Sequence, residues 1–525
     1  MHLLEALNVK HYVKDRLILD FDHIHIYKND RIGLVGQNGS GKTTLLNVLA
    51  GEITTEEGHV IRHVELGVLP QLKRTDAVKS GGEVTQEYIN QALIKAPGVL
   101  LADEPTTHLD TEHMEWLEKK LLHWKGAFVI VSHDRAFLDA VCTKVWEIEE
   151  GKINEYSGNY SDYAEQKDLE QRHQQAAYEK YEAKKKQLEE ALKLKEEKAD
   201  RATKTPQNVS RSEAKITGAK PYFAKKQKKL QKTGKAIEKR LEKLEKVEKV
   251  RETPPVKMNL PNKKTFKGKI ILRAEDVSGF VGERLLWGRT RFNVRGGDKI
   301  AVIGSNGCGK TTLVKKIING DDGITKTPSM KIGYFSQDLH ILNVDQSILE
   351  NVSSTSNQDE TVIRTVLARL YFYGDDVYKP VRVLSGGERV KAALAKLFLS
   401  NINTLILDEP TNFLDIEAAS ALESLLQGYE GTVIFVSHDR RFIENIATRI
   451  LSIRHQAIEV FEGTYHQFKN KKQEKERDPA EDEKLVLQTK ISEVLGRLSI
   501  EPSEELEEEF QELLAEKRRL EQHQK

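Results

Sequence analysis

The amino-acid sequence predicts an α/β protein: two similar domains in tandem, an antiparallel helical hairpin between them, and a short helical extension after the second. Three observations carry this reading. First, the glycine-rich segment GQNGSGKTT (Gly36–Thr44) recurs as GSNGCGKTT (Gly304–Thr312). Second, SGGE, DEPT and VSHDR follow in the same order in both halves, starting at Ser80, Asp103 and Val131 and again at Ser385, Asp408 and Val436. The glycine-rich copies lie 268 residues apart and the other three pairs 305, so the halves differ in length between those elements. Third, the stretch between the halves is dominated by Glu, Lys, Gln, Ala and Leu, all strong helix formers. A repeat at this spacing marks each copy as one folding unit.

The first domain spans 1–160. Ile32–Val35 is a short apolar strand that runs into the glycine-rich segment, and Thr43–Leu49 has helical character after it. Ile300–Ile303 and Thr311–Ile318 repeat the pattern in the second domain, 269–470. Strand, glycine-rich loop and helix in that order are the context of a phosphate-binding loop. LLAD and LILD, and FVIV and VIFV before the SHD motifs, read as strands buried in a parallel sheet.

The linker spans 161–268. Ala177, Tyr181, Leu188 and Leu192 keep helical spacing in the first run. Leu230, Ile237 and Leu244 fall seven apart in the second, with Leu241 at the alternate position. Thr203–Pro221, with Pro206, Gly218 and Pro221, separates the runs and predicts a tip loop. About 40 residues per helix would project ~60 Å. The extension, 471–525, carries 16 acidic and 11 basic residues. Its Leu487, Ile491, Val494 and Leu498, then Leu506, Phe510, Leu513 and Leu520, suggest a short helical hairpin.

At 525 residues, with 38% apolar and 31% charged residues, the chain suits two or three globular domains with solvated parts between them. The net charge of +1 conceals an uneven distribution: Ser161–Leu260 holds 27 Lys and Arg against 17 Asp and Glu. Such asymmetry marks interaction segments. Two cysteines, Cys142 and Cys308, need no disulfide framework and exclude a cysteine-based zinc site. The first residues, MHLLEALNVKHYVKDR, are too polar for a signal peptide, and no apolar run approaches the ~20 residues of a membrane span. A soluble cytoplasmic protein without a membrane domain is expected.

The repeated motifs predict two sites for ATP and Mg²⁺. Backbone N–H groups of Gly36, Gln37, Asn38, Gly39, Ser40 and Gly41, and of Gly304, Ser305, Asn306, Gly307, Cys308 and Gly309, are placed to surround phosphates. Lys42 and Lys310 neutralise their charge, and Thr44 and Thr312 close the loops. Thr43 and Thr311 offer hydroxyls to the metal, and Asp103 and Asp408, ending apolar strands, complete its shell. Glu104 and Glu409, one residue on, are suited to orient or deprotonate the attacking water. His133 and His438, each 29 residues after its glutamate, are placed to meet a terminal phosphate. Gln71 and Gln337 end strand-like segments and are candidates for sensing metal and water. Tyr12 and Phe280 both lie 24 residues before a loop's first glycine, where an aromatic ring would stack on adenine. Cys308, where the first loop has Ser40, reads as a small residue that tolerates close packing rather than as a redox switch.

These motifs resemble those of the ABC-F class of ATP-binding cassette proteins, and the resemblance covers nearly the whole chain. It implies two cassettes paired head to tail within a monomer. Ser385, Gly386, Gly387 and Glu388 would then complete the first half-site, and Ser80, Gly81, Gly82 and Glu83 the second. HYVKDRLIL, DEPTTHLD and the compact first cassette are similar to the Vga-type antibiotic-resistance factors. That likeness implies a ribosome-associated cytoplasmic protein. It would bind the 70S ribosome at the tRNA exit site, its linker approaching 23S rRNA and P-site tRNA, and protect the peptidyl-transferase centre from lincosamides, pleuromutilins and streptogramin A. The alternatives are a housekeeping ABC-F translation factor and, from another class, the ATPase subunit of an exporter. DNA-maintenance ATPases also pair cassettes, but with far longer coiled coils or zinc-binding insertions.

Three departures from the usual pattern stand out. Gln71 and Ser80 are 9 apart where Gln337 and Ser385 are 48 apart, so the first cassette lacks most of a helical subdomain. Lys79 precedes the first SGGE where Leu384 precedes the second. DEPTTHLD has Thr107, and DEPTNFLD has Phe413. Two competent but unequal sites are expected. Around the linker tip, Ala199–Lys232 has 10 basic and 2 acidic residues, with Tyr222 and Phe223 beside them, which suits a nucleic-acid partner. Lys225, Lys226, Lys228 and Lys229 are the candidate RNA contacts, and Val209, Ile216 and Thr217 the candidate determinants of drug specificity.

Overall fold

The computed structural model describes residues 2–70, 81–107, 109–201, 219–244, 246–247, 267–336, 341–412 and 414–476, with isolated positions 491, 494, 510 and 513. Each half folds as two sheets. In the first, β1 (His2–Val13), β2 (Arg16–Tyr27), β3 (Arg31–Val35), β4 (Glu57–Arg62), β5 (Leu66–Leu69), β6 (Val99–Asp103), β7 (Ala127–Val131), β8 (Lys144–Glu149) and β9 (Lys152–Ser157) follow in order. β2-β1-β4 form an antiparallel sheet, and β5-β6-β7-β3-β8-β9 a sheet that is parallel except at its β9 edge. The second half repeats this with β10 (Ile270–Val281), β11 (Arg284–Arg295), β12 (Lys299–Gly304), β13 (Ile324–Lys326), β14 (Ile332–Phe335), β15 (Thr404–Asp408), β16 (Thr432–Val436), β17 (Arg449–Arg454) and β18 (Ala457–Glu462). Its sheets run β11-β10-β13 and β14-β15-β16-β12-β17-β18.

Burial follows from the sequence. β6, β7, β15 and β16 are buried at every position, as continuous apolar runs in a covered parallel sheet must be. In the first half, the helix Lys42–Ala50 packs between the two sheets, and Thr111–Leu122 and Arg135–Val141 cover the far face of the parallel one. In the second half, Trp287 is fully buried beside the loop, and a Cβ on Gly309 (φ 103°) would lie 2.3 Å from its ring. Only glycine fits there. The helices Ile348–Ser353 and Glu360–Arg369 and two short 3₁₀ turns lie between β14 and the SGGE motif of the second half. In the first half, only Pro70 is described between β5 and the helix Gly81–Ile94.

The linker consists of Tyr160–Arg201, 42 residues and ~63 Å long at 1.5 Å per residue, and Ala219–Glu242, 24 residues, packed side by side. The second helix is shorter than the ~40 residues expected at 1.5 Å rise. Leu244 lies beyond its end, in a tightened turn where its N–H donates to Leu241 O at 3.2 Å. Pro221 does not interrupt the chain either. It sits in the first turn of Ala219–Glu242, where a helix needs no N–H. Val209, Ile216 and Thr217 lie outside the described residues, as does nearly all of the 471–525 extension, whose described helix is Tyr465–Glu476. Among the described residues, no helix is long and apolar enough to cross a membrane.

Candidate functional site

Both glycine-rich loops turn sharply off the end of a central strand. Gly36, Gly39 and Gly41 take positive φ (147°, 80° and 105°), as do Gly304, Gly307 and Gly309 (156°, 74° and 103°). A Cβ on Gly36 would meet Ile148 O at 2.7 Å, and one on Gly304 would meet Ile453 O at 2.6 Å. The loops then enter helices at Lys42 and Lys310, whose N-termini favour an anion, while the Asn38 and Asn306 backbone amides of the loops donate to Asp415 and Asp110. Each lysine turns back into its own loop. Lys42 Nζ donates to Gly36 O (2.7 Å) and Gln37 O (2.9 Å), and Lys310 Nζ to Gly304 O (2.9 Å) and Ser305 O (3.1 Å). Burial lowers the pKa of the Lys42 ammonium. Cys308 lies in the second loop, and burial raises its thiol pKa, which disfavours the reactive thiolate.

The next layer is assembled by the sheets. Thr43 Oγ1 donates to Asp103 Oδ2 at 2.6 Å and Thr311 Oγ1 to Asp408 Oδ2 at 2.9 Å, which gathers hard oxygen donors of the kind Mg²⁺ prefers. Glu104 and Glu409 follow in a left-handed conformation (φ 50° and 51°), rare for a non-glycine residue. The backbone N–H of Glu104 donates to Val131 O and that of Glu409 to Val436 O, both at 3.0 Å, which locks the turn to the neighbouring strand. Desolvation, reinforced by Asp103, pushes the Glu104 carboxyl up to about 8. Desolvation also lifts Glu409 to about 7, against the pull of Lys310. The Oε1 of each is buried without a hydrogen bond among the described residues and lies 3.4 Å from His133 Nε2 or His438 Nε2. Burial, with the nearby lysine, lowers His133 to about 4 and His438 to about 3, so both imidazoles are neutral near pH 7.

Part of both sites lines one cleft of ≈ 1170 Å³ between the halves, although Lys42, Thr43 and Asp103 are not among its lining residues. Asn38, Gly39, Glu104 and His133 line it from the first half, and Asn306, Gly307, Lys310, Thr311, Thr312, Ser385, Gly387, Asp408, Glu409 and His438 from the second. Ser385 caps the helix Gly386–Leu399 in a reciprocal capping box. Glu388 Oε2 accepts from Ser385 N at 2.8 Å, so Glu388 shapes the helix start. Gly81, Gly82 and Glu83 open the matching helix Gly81–Ile94. Gln71, Ser80 and Gln337 lie outside the described residues. Tyr12 and Phe280 are 41% and 53% exposed on β1 and β10, so neither is a core ring and both are free to meet a ligand.

The structure adds residues to which the motif reading gave no role. Asp110, the last residue of DEPTTHLD, caps the helix Thr111–Leu122 and also accepts from Asn306 N of the other half at 2.9 Å. Asp415 mirrors it, capping Ile416–Gly428 and accepting from Asn38 N at 3.1 Å. Gln37 Nε2 donates to Glu417 Oε2 at 2.9 Å. Behind the cleft, Arg135 pairs with Glu423 and donates to Ser420 Oγ at 3.1 Å, and Arg440 pairs with Glu118 at 3.0 Å. Arg441 pairs with Asp139. The signal for these residues was present: Asp110 and Asp415, and Arg135 and Arg440, occupy matched places in the repeated motifs.

Two phosphate-binding loops that open onto one cleft, with helix caps reaching from each half to the other's loop, define a pair of ATP-binding cassettes. The ABC transporter family profile matches residues 19–77 and 288–412, and a second ABC transporter profile matches 146–258, across the linker. The chain is 32% identical to the ribosome protection protein VmlR of Bacillus subtilis, over 97% of each chain. It is 34% identical to the erythromycin resistance ATP-binding protein MsrA of Staphylococcus epidermidis, over 86% of this chain and 97% of that one. It is also 30% identical to the ATP-binding protein Uup of Escherichia coli, over 83% and 77%. The solved structure of RNase-L Inhibitor shares the fold, with a TM-score of 0.57 at 17% identity over 88% of this chain and 92% of that one. The chain belongs to the ABC-F family of tandem-cassette proteins and is an ATPase.

Proposed function

We propose that this ATPase binds the 70S ribosome from the tRNA exit site and protects the peptidyl-transferase centre against lincosamides, pleuromutilins and streptogramin A. The observation that carries the reading is the linker: a ~63 Å helix leaves the first cassette directly and pairs with a lysine-rich partner on which Lys228 and Lys229 are exposed. An arm of that length and charge separates an ATP-driven base from a tip that meets RNA. The likeness to VmlR, a ribosome protection protein, and to MsrA, an erythromycin resistance protein, supports the same reading. The alternative is a housekeeping translation factor without a drug role.

At the cleft, the loop amides with Lys42 and Lys310 hold the nucleotide phosphates. Thr43 with Asp103, and Thr311 with Asp408, would hold the accompanying Mg²⁺, and Gln71 and Gln337 are the candidates for sensing it. The ionised carboxylates of Glu104 and Glu409, a minority at pH 7 for Glu104, take the proton of the attacking water, and neutral His133 and His438 donate to the terminal phosphate. Ser385, Gly386 and Gly387, and Ser80, Gly81 and Gly82, meet the nucleotide held by the opposite cassette, so binding closes the pair and hydrolysis releases it. Tyr12 and Phe280 stack on adenine. The protein acts as a cytoplasmic, ribosome-associated monomer.

The test is expression in a drug-sensitive Gram-positive host. Inhibitory concentrations of the three drug classes rise with the wild-type chain and not with Glu104→Gln/Glu409→Gln. Ribosome co-sedimentation without any rise in resistance would favour the housekeeping role, and absence of co-sedimentation would overturn both readings.

A further inference from the structure

The outer face of the β2-β1-β4 sheet, away from the ATP cleft, carries a group of imidazoles around one carboxylate. A bulge between His2 and Leu4 brings His2 to the same side as Glu5, and Glu5 lies opposite His25 in the β1–β2 register. His63 extends β4 by donating its N–H to Leu3 O at 2.9 Å. Glu5 Oε1 lies 3.7 Å from His2 Nδ1 and 3.4 Å from His63 Nε2. One ligand atom each of His2, Glu5 and His25 fall within 4.8 Å of one another. His25 Nδ1 is out of solvent and has no hydrogen-bond partner among the described residues.

We infer that His2, Glu5 and His25 form a site for a divalent transition metal of the Zn²⁺ type, with His63 beside Glu5 at its edge. Ligand atoms ~2.0–2.2 Å from a tetrahedral zinc lie about 3.3–3.6 Å from one another, close to the 3.7 Å between Glu5 Oε1 and His2 Nδ1. Imidazole with one carboxylate suits zinc and its neighbours rather than Mg²⁺ or Ca²⁺. The sheet itself does not require these side chains. The second cassette builds the same sheet with Ile270, Arg273, Asn293 and Thr327 at the matching register positions. His2 and His63 are half exposed, 46% and 41% at the side chain, so a metal can enter without unfolding the strand.

The test uses the untagged full-length chain and Zn²⁺ alone, with a chromophoric chelator as competitor at pH 7.5. The expected result is one equivalent of Zn²⁺ bound with micromolar affinity, weakened at least about tenfold in His25→Asn and in Glu5→Gln, since even outer-shell ligand partners carry that much. His123→Asn, at the cap that follows the helix Thr111–Leu122, leaves the affinity unchanged. ATP turnover without zinc is also unchanged in His25→Asn and Glu5→Gln, which shows that both fold. If wild type binds no zinc, if the two cluster variants bind it as wild type does, or if His123→Asn weakens it equally, the assignment is overturned.

Discussion

Removing the Arg135 guanidinium takes a buried cation out of the contact between the cassettes while leaving both phosphate loops intact. Its side chain is 7% exposed and that of Glu423 8%. Breaking a buried pair by deleting one partner costs about 3–5 kcal/mol, because the other charge is left without compensation. Glu423 keeps the Asn445 amide, whose Nδ2 donates to Oε2 at 2.9 Å, so the lower end applies to Arg135→Ala. About 3 kcal/mol in the closed state corresponds to roughly a 150-fold fall in kcat/KM for ATP. Nucleotide binding to a single open loop should change less than twofold, since Arg135 touches neither loop. The decisive assay is a double-mutant cycle on kcat/KM with Arg135→Ala, Glu423→Ala and the pair. Arg135 in Glu423→Ala still has Asp439 at 3.9 Å, so that single variant is the milder one. A coupling energy above about 1.5 kcal/mol is expected. Additivity within about 0.5 kcal/mol would refute the claim that this pair clamps the cassettes.

Three further outcomes follow from the structure. Glu104→Gln with Glu409→Gln keeps the hydrogen-bonding shape but removes both buried bases, so turnover falls at least ~10²-fold while ATP binding persists; undiminished phosphate release would refute the assignment. Ribosome affinity falls steeply with salt, and Ala at Lys225, Lys226, Lys228 and Lys229 makes the log–log slope shallower by about 3, read by co-sedimentation across a salt series; an unchanged slope would remove the linker from RNA contact. Substitutions at Val209, Ile216 or Thr217 alter which antibiotics are resisted while ribosome-free ATP turnover stays near wild type. A parallel loss of both would place their effect in the cassettes.

Much of this protein is encoded in contiguous runs. The loop glycines, Lys42 and Lys310, and the Asp–Glu pairs ending β6 and β15 are local patterns, and local patterns dictate local backbone: an apolar strand, a turn needing positive φ, a helix start. Repetition at matched offsets gave the tandem architecture for the same reason. Helix ends were less legible. Propensity alone carried the second linker run to Leu244, whereas packing and the closing turn end it at Glu242.

What only the tertiary structure decided is which distant residues meet. Asn306 and Asp110 are 196 residues apart, and Arg135 and Glu423 are 288 apart, and no periodicity relates them. The left-handed turn at Glu104 and Glu409 also depends on context, because it is held by the N–H bond to the neighbouring strand. The zinc-type cluster depends on a bulge that turns His2 toward Glu5 and on the three-strand register that brings His25 and His63 alongside. The sequence determined the chemistry available to each cassette, since that chemistry resides in residues adjacent along the chain. Docking of two folded units determined the pairing of the sites, because the energy of a buried charge or a helix cap depends on what the opposite surface presents.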